Sequence, residues 1–293
     1  MQDIRNYETV PISYKESFVV NYLYNGFIGG VLLRLLVKPC VSKFVGLIMD
    51  SPITKIFIPG FIKRNNIKTE EYRVVKYKSF NDFFKREIKK ELRPFSMDTP
   101  YDLAAPCDGK LTAYPITPDG VFHIKNSMYT IDGLLQDKTL SREFMDGLCL
   151  VFRLMPDDYH RYAYIDDGEV IDRKSIKGLL HTVRPIAHRR YKIFAQNARE
   201  YEVLRTEHFG KVVQIEVGAL FVGRITNYKT GRTFKRGEEK GVFEYGGSTI
   251  VMLFQSNAVT LDSAISGNTL DGKETIVRMG YKIGEQTTKE KES

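Results

Sequence analysis

A Gly-Gly-Ser-Thr sequence at positions 246–249 stands directly before an apolar run that ends at Phe254. Glycine adopts backbone conformations that are closed to other residues, so the Ser248 hydroxyl can approach the carbonyl carbon of Gly247 without steric hindrance. The pattern therefore allows an attack of the chain on its own backbone. It is also the pattern of a simple turn that opens a buried strand, and taken alone it favours the turn.

Two other short motifs contain residues that could move a proton to or from that serine. Asp108 lies in the sequence Pro-Cys-Asp-Gly, and His160 lies in the sequence Asp-Asp-Tyr-His-Arg. A serine hydroxyl is a weak nucleophile, so a base such as imidazole must take its proton. A carboxylate can fix the tautomer of that imidazole and stabilise its charged form. Each motif alone is more typical of a turn or a structural histidine, so the chemistry depends on all three lying together.

The composition is that of a folded protein with a basic surface. Of 293 residues, 42% are hydrophobic and 27% are charged, which predicts a sizeable core. The chain has 44 Lys and Arg against 36 Asp and Glu, a net charge of +8, which favours a nucleic acid or an acidic membrane as partner. The three cysteines are far apart and lack metal-binding spacing, so we expect no disulfide framework, no zinc and a reducing compartment. Positions 1–15 lack the pattern of a secretory signal.

The N-terminal region is apolar but interrupted by charge. Positions 18–49 carry Arg34 and Lys38 before an uncharged span of about 18 to 20 residues is reached, so we expect amphipathic helices rather than a membrane span. Pro39 should end or kink the first helix. A second apolar segment at 53–62 is followed by Lys63 and Arg64. An interfacial membrane anchor and ordinary core helices are both compatible with these segments.

The rest of the chain predicts one more helix and a β-rich body. Ser79 and Asp82 form a capping box, which predicts a helix from Ser79 to about Lys90 with its basic side chains mostly facing solvent (Lys85, Arg86, Lys89 and Lys90). Six Asp-Gly dipeptides predict tight turns between short strands. The candidate strands are 148–154, 201–206, 211–217, 220–226, 249–254 and 274–279. We therefore predict an α+β, mainly β fold.

In chain order, these motifs resemble those of the phosphatidylserine decarboxylase proenzymes, which are self-processing pyruvoyl enzymes. The matching segments are Ser79 to Pro94, Pro106-Cys107-Asp108-Gly109, Asp158-Tyr159-His160-Arg161-Tyr162, Asn197-Ala198-Arg199, Val217-Gly218-Ala219 with Val222-Gly223, and Lys240-Gly241 through to Thr249. One position departs from the pattern: many members have a second histidine three residues after the first, where this chain has Ala163. Any role of that second histidine does not transfer to this chain.

The resemblance implies a specific chemistry for the three motifs. Ser248 would attack the carbonyl of Gly247 with His160 as base and Asp108 fixing the tautomer of the imidazole. Elimination and hydrolysis would then convert Ser248 into a pyruvoyl group, which serves as the cofactor by forming a Schiff base with the substrate amine. His160 would also be a reasonable proton donor to the product. The chain would be cut between 247 and 248 into a large chain, 1–247, and a small chain, 248–293.

The resemblance also implies the partners and the architecture. The substrate would be phosphatidylserine in an anionic membrane surface, converted to phosphatidylethanolamine and carbon dioxide, with no nucleic acid involved. The two fragments would form a heterodimer. The resemblance does not decide whether these heterodimers associate further into a homo-oligomer. The protein would be a peripheral membrane protein on the cytoplasmic face of the cell membrane. We expect an N-terminal helical, membrane-associating region, 1–95, and a catalytic domain, 96–293, with a barrel-sandwich-like β core.

Two other functions are compatible with the same sequence. A serine hydrolase could use Asp108, His160 and Ser248 as a triad, although the Gly-X-Ser-X-Gly elbow typical of many hydrolases is absent. A membrane-binding relative that does not mature could share the fold without the activity, and Ala163 is compatible with that function.

Overall fold

The computed structural model describes residues 7–12, 18–73, 76–95, 97–124, 127–188, 191–220, 224–228, 231–246 and 248–287. Its strands, in chain order, are β1 (Thr9–Pro11), β2 (Asp102–Ala104), β3 (Gly109–Pro115), β4 (Val121–Ile124), β5 (Ser127–Thr130), β6 (Leu148–Leu154), β7 (Arg161–Ala163), β8 (Gly168–Ile176), β9 (Arg199–Thr206), β10 (Lys211–Val217), β11 (Ile225–Asn227), β12 (Thr233–Phe234), β13 (Glu239–Phe243), β14 (Ser248–Phe254), β15 (Val259–Leu261), β16 (Lys273–Val277) and β17 (Lys282–Gln286).

A nine-stranded antiparallel sheet forms the body, in the order β1-β16-β3-β6-β14-β10-β9-β8-β12. Smaller sheets have the orders β11-β13-β7, β15-β17-β2 and β4-β5. Side chains of the β11-β13-β7 sheet bind those of β9 and β10, so the small sheet covers one face of the large one. The predicted fold class, α+β and mainly β, is confirmed.

The centre of the large sheet is the part that the sequence predicts best. β6 and β10 have the predicted bounds, and β14 begins one residue earlier than predicted. All seven residues of β14 are buried, as expected for a strand with apolar neighbours on both sides. The predicted strand 220–226 is confirmed only at residues 225 and 226, because Leu220 lies in a turn and β11 begins at Ile225.

The helices are short and mostly precede the sheets. They are α1 (Phe18–Asn25), α2 (Phe27–Leu36), α3 (Pro39–Met49), α4 (Ile58–Asn65), α5 (Phe80–Phe84), α6 (Ile131–Leu135), α7 (Lys138–Arg142), α8 (Pro185–His188), α9 (Ile193–Gln196) and α10 (Ser263–Leu270). Three 3₁₀ helices cover Pro52–Phe57, Thr69–Glu71 and Lys90–Leu92.

The N-terminal apolar segments fold into a chain of bent helices. α1 and α2 meet at 94° around Gly26, and a Cβ at Gly29 would stand only 2.0 Å from the Tyr22 carbonyl oxygen. Glycine at this position therefore permits the close approach of the two helices. Leu23 and Leu33 are buried in the main core. α3 begins with Pro39 at its first turn, a position that proline favours.

Among the described residues, no single helix has both the length and the apolar character needed to cross a membrane. Two pairs of consecutive helices do have this length and composition when each pair is taken as one segment. They are α1 with α2, and α3 with the segment Pro52–Asn65, and the chain bends by 81° between the members of the second pair. The predicted boundary between residues 95 and 96 stays a prediction. β1, from the N-terminal region, adds a strand to the large sheet by pairing with β16.

The helix predicted from Ser79 to about Lys90 is much shorter in the structure. Ser79 is the N-cap as predicted, because its Oγ accepts a hydrogen bond from the Asp82 backbone N–H at 3.1 Å. The helix ends at Phe84, and Ile88 instead forms a β-bridge with Tyr72. The early end turns Arg86 inward, so the prediction of a solvated basic face is wrong at that residue, which is only 2% exposed.

Candidate active site

One edge of the nine-stranded sheet brings the three predicted motifs together. β3 begins directly after Asp108, β6 ends shortly before His160, and β14 begins at Ser248. The strand registers place the start of β3, the end of β6 and the start of β14 side by side. Because neighbouring strands lie about 4.8 Å apart, the starts of β3 and β14 are roughly 10 Å apart at this edge.

Ser248 is fully buried at the first position of β14. The strand is paired on one side with β6, where Leu154 lies opposite Ser248, and on the other side with β10. Within the described ranges, the Ser248 Oγ has no hydrogen-bond partner, and neither has the neighbouring Thr249 Oγ1. A buried polar group without a partner costs about 1–3 kcal/mol, so these hydroxyls require an explanation. Gly247, the predicted position of the attacked carbonyl, lies outside the described residues.

The segment before Ser248 is held by α5. The Asn81 side chain accepts a hydrogen bond from the Tyr245 backbone N–H at 3.1 Å and donates one to the Glu244 carboxylate at 3.1 Å. The Tyr245 ring packs edge-on against the Phe84 ring, with centroids 5.6 Å apart. Gly246 has φ of +124°, a backbone conformation that other residues rarely adopt. The segment is therefore fixed by contacts on its N-terminal side and by a glycine-dependent turn.

His160 is 1% exposed and lies between the loop after β6 and the segment before Ser248. Its ring centroid is 4.2 Å from that of Phe84, and its carbonyl accepts a hydrogen bond from the Phe243 N–H at 3.0 Å. Burial first, and the nearby charge of Arg86 second, lower the pKa of His160 to about 3. The Gly246 backbone lies close enough to raise this pKa, although by less than burial lowers it. His160 is therefore neutral at physiological pH.

The hydrogen bonds of His160 determine its tautomer. Nδ1 lies 2.9 Å from the carbonyl oxygen of Asp158, and a carbonyl oxygen can only accept a hydrogen bond. Nδ1 must therefore carry the proton, which leaves the lone pair on Nε2. In the part of the chain that the structure describes, Nε2 is buried and has no hydrogen-bond partner. The imidazole is thus set up to accept a proton at Nε2.

The structure gives Asp108 partners other than His160. Its carboxylate binds Arg93 Nε at 2.8 Å and Nη2 at 2.6 Å, and it accepts a hydrogen bond from the Met279 backbone N–H at 2.9 Å. No hydrogen bond joins Asp108 to His160 within the described ranges. The backbone of Asp158, and not the Asp108 carboxylate, therefore fixes the tautomer, and a catalytic role for Asp108 stays a prediction.

The turn that carries Asp108 is nevertheless connected to the His160 loop. The Ala163 backbone N–H donates a hydrogen bond to the Pro106 carbonyl at 2.9 Å, which joins the turn to β7. Lys110, two residues after Asp108, binds both carboxylate oxygens of Asp158 at 2.8 Å. The two motifs therefore contact each other through their neighbours.

Sequence reasoning missed Arg86 as a residue that shapes the site. Its Nη2 donates hydrogen bonds to the carbonyl oxygens of Asp157 at 3.1 Å and Asp158 at 3.2 Å, and its guanidinium lies over the Tyr72 ring. The Asp158 carbonyl thus accepts hydrogen bonds from both Arg86 and His160. Arg86 stands between Lys85 and Glu87, so the one signal in the sequence is its spacing of three residues from Phe83.

A buried ion pair also lies near the site and was not predicted. Lys240 and Glu216 have fully buried side chains, with Nζ 2.8 Å from Oε2, and Glu202 lies 3.6 Å from the same Nζ. Asn227 accepts a hydrogen bond from Lys240 at 2.9 Å and donates one to Glu216 at 3.2 Å. Burial raises the pKa of Glu216 to about 7 despite the lysine. Glu216 lies opposite Ile250, two residues after Ser248, so it shares a sheet face with that serine.

Among the described residues, no group of three or more His, Cys, Asp and Glu side chains is arranged to hold a metal ion. The reactive groups described at this edge are the Ser248 hydroxyl and the neutral His160 imidazole, with buried charged side chains around them.

Comparison with known proteins gives one consistent result. A family model described as phosphatidylserine decarboxylase matches residues 80–285. The chain is 46% identical over 267 residues to phosphatidylserine decarboxylase proenzyme 2 of Clostridium acetobutylicum, which covers 91% of each chain. It is 40% identical over 273 residues to the phosphatidylserine decarboxylase proenzyme of Ruminiclostridium cellulolyticum, covering 91% of this chain and 90% of that protein. The corresponding protein of Fusobacterium nucleatum is 37% identical over 273 residues, covering 91% of both.

Substitution of Lys240 by methionine should strongly destabilise the protein. The change leaves the carboxylates of Glu216 and Glu202 near each other in the core without the ammonium, and breaking a buried pair in this way costs about 3–5 kcal/mol. Lys235→Met is the matched control, because Lys235 is 77% exposed and its pair with Asp167 is worth at most about 1 kcal/mol. Urea unfolding of both variants in the Ser248→Ala chain measures the difference in one covalent form.

The double variant Lys240→Met/Glu216→Leu should recover much of that loss, because it removes both charges of the pair. A Lys240→Met protein as stable as the Lys235→Met control would show that the ammonium does not hold the buried carboxylates.

Proposed function

The chain belongs to the phosphatidylserine decarboxylase family, and we propose that it cuts itself before Ser248 and then decarboxylates phosphatidylserine with a pyruvoyl group made from that serine. The observation that carries this proposal is a pair of unpartnered atoms. Ser248 Oγ and His160 Nε2 are both buried, and neither has a hydrogen-bond partner in the described part of the chain. A nucleophile and a base without other partners are free to react with the segment between them.

The neutral state of His160 supports its role as the base. An imidazole can take the serine proton only while it is neutral, and the pKa of about 3 keeps it neutral across the physiological range. With Nδ1 held by the Asp158 carbonyl, only Nε2 can accept a proton. In this proposal His160 receives the proton of Ser248 at Nε2 and passes it to the backbone nitrogen that leaves.

The proposed maturation balances without a co-reactant other than water. Ser248 Oγ forms an ester bond with the carbonyl carbon of Gly247 as the amide bond between residues 247 and 248 breaks. Loss of the Cα proton of residue 248 then expels the Gly247 carboxylate, which becomes the C-terminus of the large chain. The remaining dehydroalanine takes up water and releases ammonia, which leaves a pyruvoyl group at position 248.

The fold suits residue 248 as the site of that group. Residue 248 begins a strand that is hydrogen-bonded to β6 and β10, so the new N-terminus would stay in the sheet after the cut. The small chain would also contribute β16, between β1 and β3, and β17, beside β2. The two fragments would therefore remain one folded heterodimer. The pyruvoyl group would supply a ketone that forms a Schiff base with the substrate amine and accepts the electrons released as carbon dioxide leaves.

In the same proposal, Asp108 is a positioning residue. Its carboxylate fixes Arg93 and the Met279 backbone, and the turn that carries it is bound to β7 through the Ala163 N–H. Loss of this carboxylate would leave the Arg93 guanidinium buried without its closest partner and loosen the turn beside the His160 loop.

We further propose that α1 to α4, together with the 3₁₀ helix Pro52–Phe57 between α3 and α4, hold the protein on the cytoplasmic face of the cell membrane. Their outward positions carry large apolar side chains that are mostly exposed: Phe18, Val19, Phe27, Ile28, Val31, Leu35, Phe44, Leu47, Ile53, Ile56 and Phe57. An apolar helix face of this extent is typical of interfacial membrane binding. A cavity of about 400 Å³, lined in part by Ile56, Phe61 and Tyr245, connects these helices with the segment before Ser248.

Intact mass spectrometry tests the proposed cut. The wild-type protein should give two chains separated between residues 247 and 248, with the smaller one blocked at its N-terminus by a group that reacts with hydroxylamine. Ser248→Ala should give one uncut chain, whereas Ser263→Ala, at an exposed serine that begins α10, should be cut normally. An uncut wild-type chain would contradict the proposal, and a small chain that starts with unmodified serine would contradict the pyruvoyl group.

The rate of self-cleavage should change by less than about twofold between pH 8 and pH 5. A base with the ordinary histidine pKa of 6.5 would instead lose about 30-fold over this range, because only a few per cent of it is neutral at pH 5. Freshly translated precursor, diluted into buffers of different pH and sampled over time, provides the measurement.

Asp158 requires a control in that experiment, because burial raises its pKa to about 6 and its carboxylate binds Lys110. A loss of rate near pH 6 that disappears in Asp158→Asn would belong to that carboxylate. A loss near pH 6.5 that persists in Asp158→Asn would show that His160 titrates normally and would contradict the assignment.

Binding to vesicles tests the proposed membrane surface. The variant Phe27→Ser/Phe44→Ser/Phe57→Ser should bind vesicles that contain phosphatidylserine at least about tenfold more weakly, since burial of one phenylalanine is worth about 1.5–3 kcal/mol. The control is Tyr101→Ser/Leu270→Ser/Tyr281→Ser, which removes exposed apolar side chains outside α1 to α4. Equal binding by the two triple variants would contradict the assignment of the surface.

A further inference from the structure

A second cavity, of about 450 Å³, lies on the other side of the site and has no role in the proposed maturation. It is enclosed by α3, the segment that follows β8, the start of β9, the end of β10 and the start of β11. Cavities of this size bind small ligands or the headgroups of larger ones.

The inner end of the cavity is close to Ser248. Val217 is paired with Thr249, so Gly218, which lines the cavity, stands beside Ser248 on the neighbouring strand at about 5 Å. Ala198, the next lining residue, accepts a hydrogen bond from the Gly218 N–H at 2.9 Å. The cavity therefore extends from the surface to within about one strand spacing of the reacting serine.

The mouth of the cavity is basic. Lys43 on α3 and Lys177 after β8 are both exposed, and neither forms an ion pair or hydrogen bond within the described ranges. Lys43 precedes Phe44 on α3, and Phe44 belongs to the apolar face proposed to meet the membrane. The two lysines would therefore lie near the level at which lipid phosphates begin.

Two arginines also line the cavity, but their charges are engaged elsewhere. Arg199 is buried, and its guanidinium donates hydrogen bonds only to backbone carbonyl oxygens, those of Gly133, Leu134, Ala195 and Asn197. Arg224, at the other side, differs because it pairs with Glu244 at 3.0 Å and with Asp50 at 3.7 Å. The positive charge available to an anion is therefore that of Lys43 and Lys177 at the mouth.

The inner end of the cavity is negatively charged. Glu200 lines the cavity and is opposite Glu216 on β10, so its carboxylate shares the sheet face of Ser248. Asn227 donates one hydrogen bond to Glu200 at 3.1 Å and another to Glu216 at 3.2 Å. From mouth to inner end, the cavity therefore changes from cationic to anionic.

We propose that this cavity binds the headgroup of a serine phospholipid, with its phosphodiester on Lys43 and Lys177 and its amino group directed towards Glu200 and position 248. The phosphate and the amine of such a headgroup are separated in the same order as the two charges of the cavity. The headgroup carboxylate stands on the same carbon as the amine, so an anionic inner end would repel it and would favour its loss as uncharged carbon dioxide. Phosphate binds lysine by charge-assisted hydrogen bonds. This inference rests on the proposed function, because it assigns the substrate of the same site.

The test compares the variant Lys43→Glu/Lys177→Glu with the control Lys273→Glu. Lys273 is also an exposed lysine, but it lies on β16, which is several strands away from the strands that line the cavity. Intact mass is measured first for every protein. An uncut wild type would refute the proposed function itself, whereas the headgroup inference is judged only on cut, hydroxylamine-reactive enzymes. Lys43→Gln/Lys177→Gln replaces the glutamate variant where the latter is not cut.

Decarboxylation is then measured on short-chain phosphatidylserine kept monomeric, so that no membrane surface contributes. The double variant should lose about tenfold or more in kcat/KM, mainly through a higher KM, because the lysines would bind ground state and transition state alike. Lys273→Glu should stay within about twofold of wild type, and Lys43→Arg/Lys177→Arg, which keeps both charges, should lose less than the glutamate variant. Normal kinetics on the monomeric lipid, with loss only on anionic vesicles, would overturn the inference and leave the lysines as membrane contacts.

Inhibition identifies the ligand chemistry. Glycerophosphoserine, the soluble headgroup, should compete with the monomeric substrate in the wild type and compete about tenfold less well in the double variant. Equal inhibition by inorganic phosphate and glycerophosphoserine would overturn the assignment to a headgroup, because it would show a general anion site.

Discussion

The pairing of β14 on both sides is the constraint on which the rest of the structure depends. All seven residues of the strand are buried, and every one of them is in register with a residue of β6. The hydrogen bonds of a strand join it to its neighbours and not to the chain that precedes it. A break before the first residue of β14 therefore removes no bond of the ladder, and this makes the start of a central strand a suitable place for the proposed cut.

The same packing explains why reactive groups can stay without partners. The hydroxyl of Ser248 and Nε2 of His160 each lack a hydrogen bond in the described structure, which costs about 1–3 kcal/mol for each group. The surrounding elements are well fixed: α5 binds the segment before Ser248, and Arg86 binds the turn before His160. The apolar strands of the large sheet form a continuous core around the site, and burial of this core offsets the unfavourable free energy of the two unpartnered groups.

Much of the site could be predicted from local sequence, and the remainder could not. The Ser79 cap and the strand that begins near Thr249 follow from residue types over a few positions, and both are present. The length of α5 and the burial of Arg86 depend on distant groups, the Tyr72 bridge and the carbonyl oxygens of 157 and 158. No local pattern marks Lys240 as fully buried either, because its carboxylate partners come from β9 and β10. Tertiary contacts of this kind override local propensity.

Ala163 in place of a second histidine is consistent with the way His160 is held. The proton on Nδ1 is fixed by a main-chain carbonyl, which does not titrate and is itself bound by Arg86. No carboxylate lies in hydrogen-bond contact with the ring in the described structure, and burial and Arg86 oppose an imidazolium by more than the backbones of Asp158 and Gly246 favour it. Such a base has a weak driving force for taking a proton but returns it readily to a leaving nitrogen. A reaction that each molecule performs once can proceed slowly, so the proposed cut does not need a stronger base.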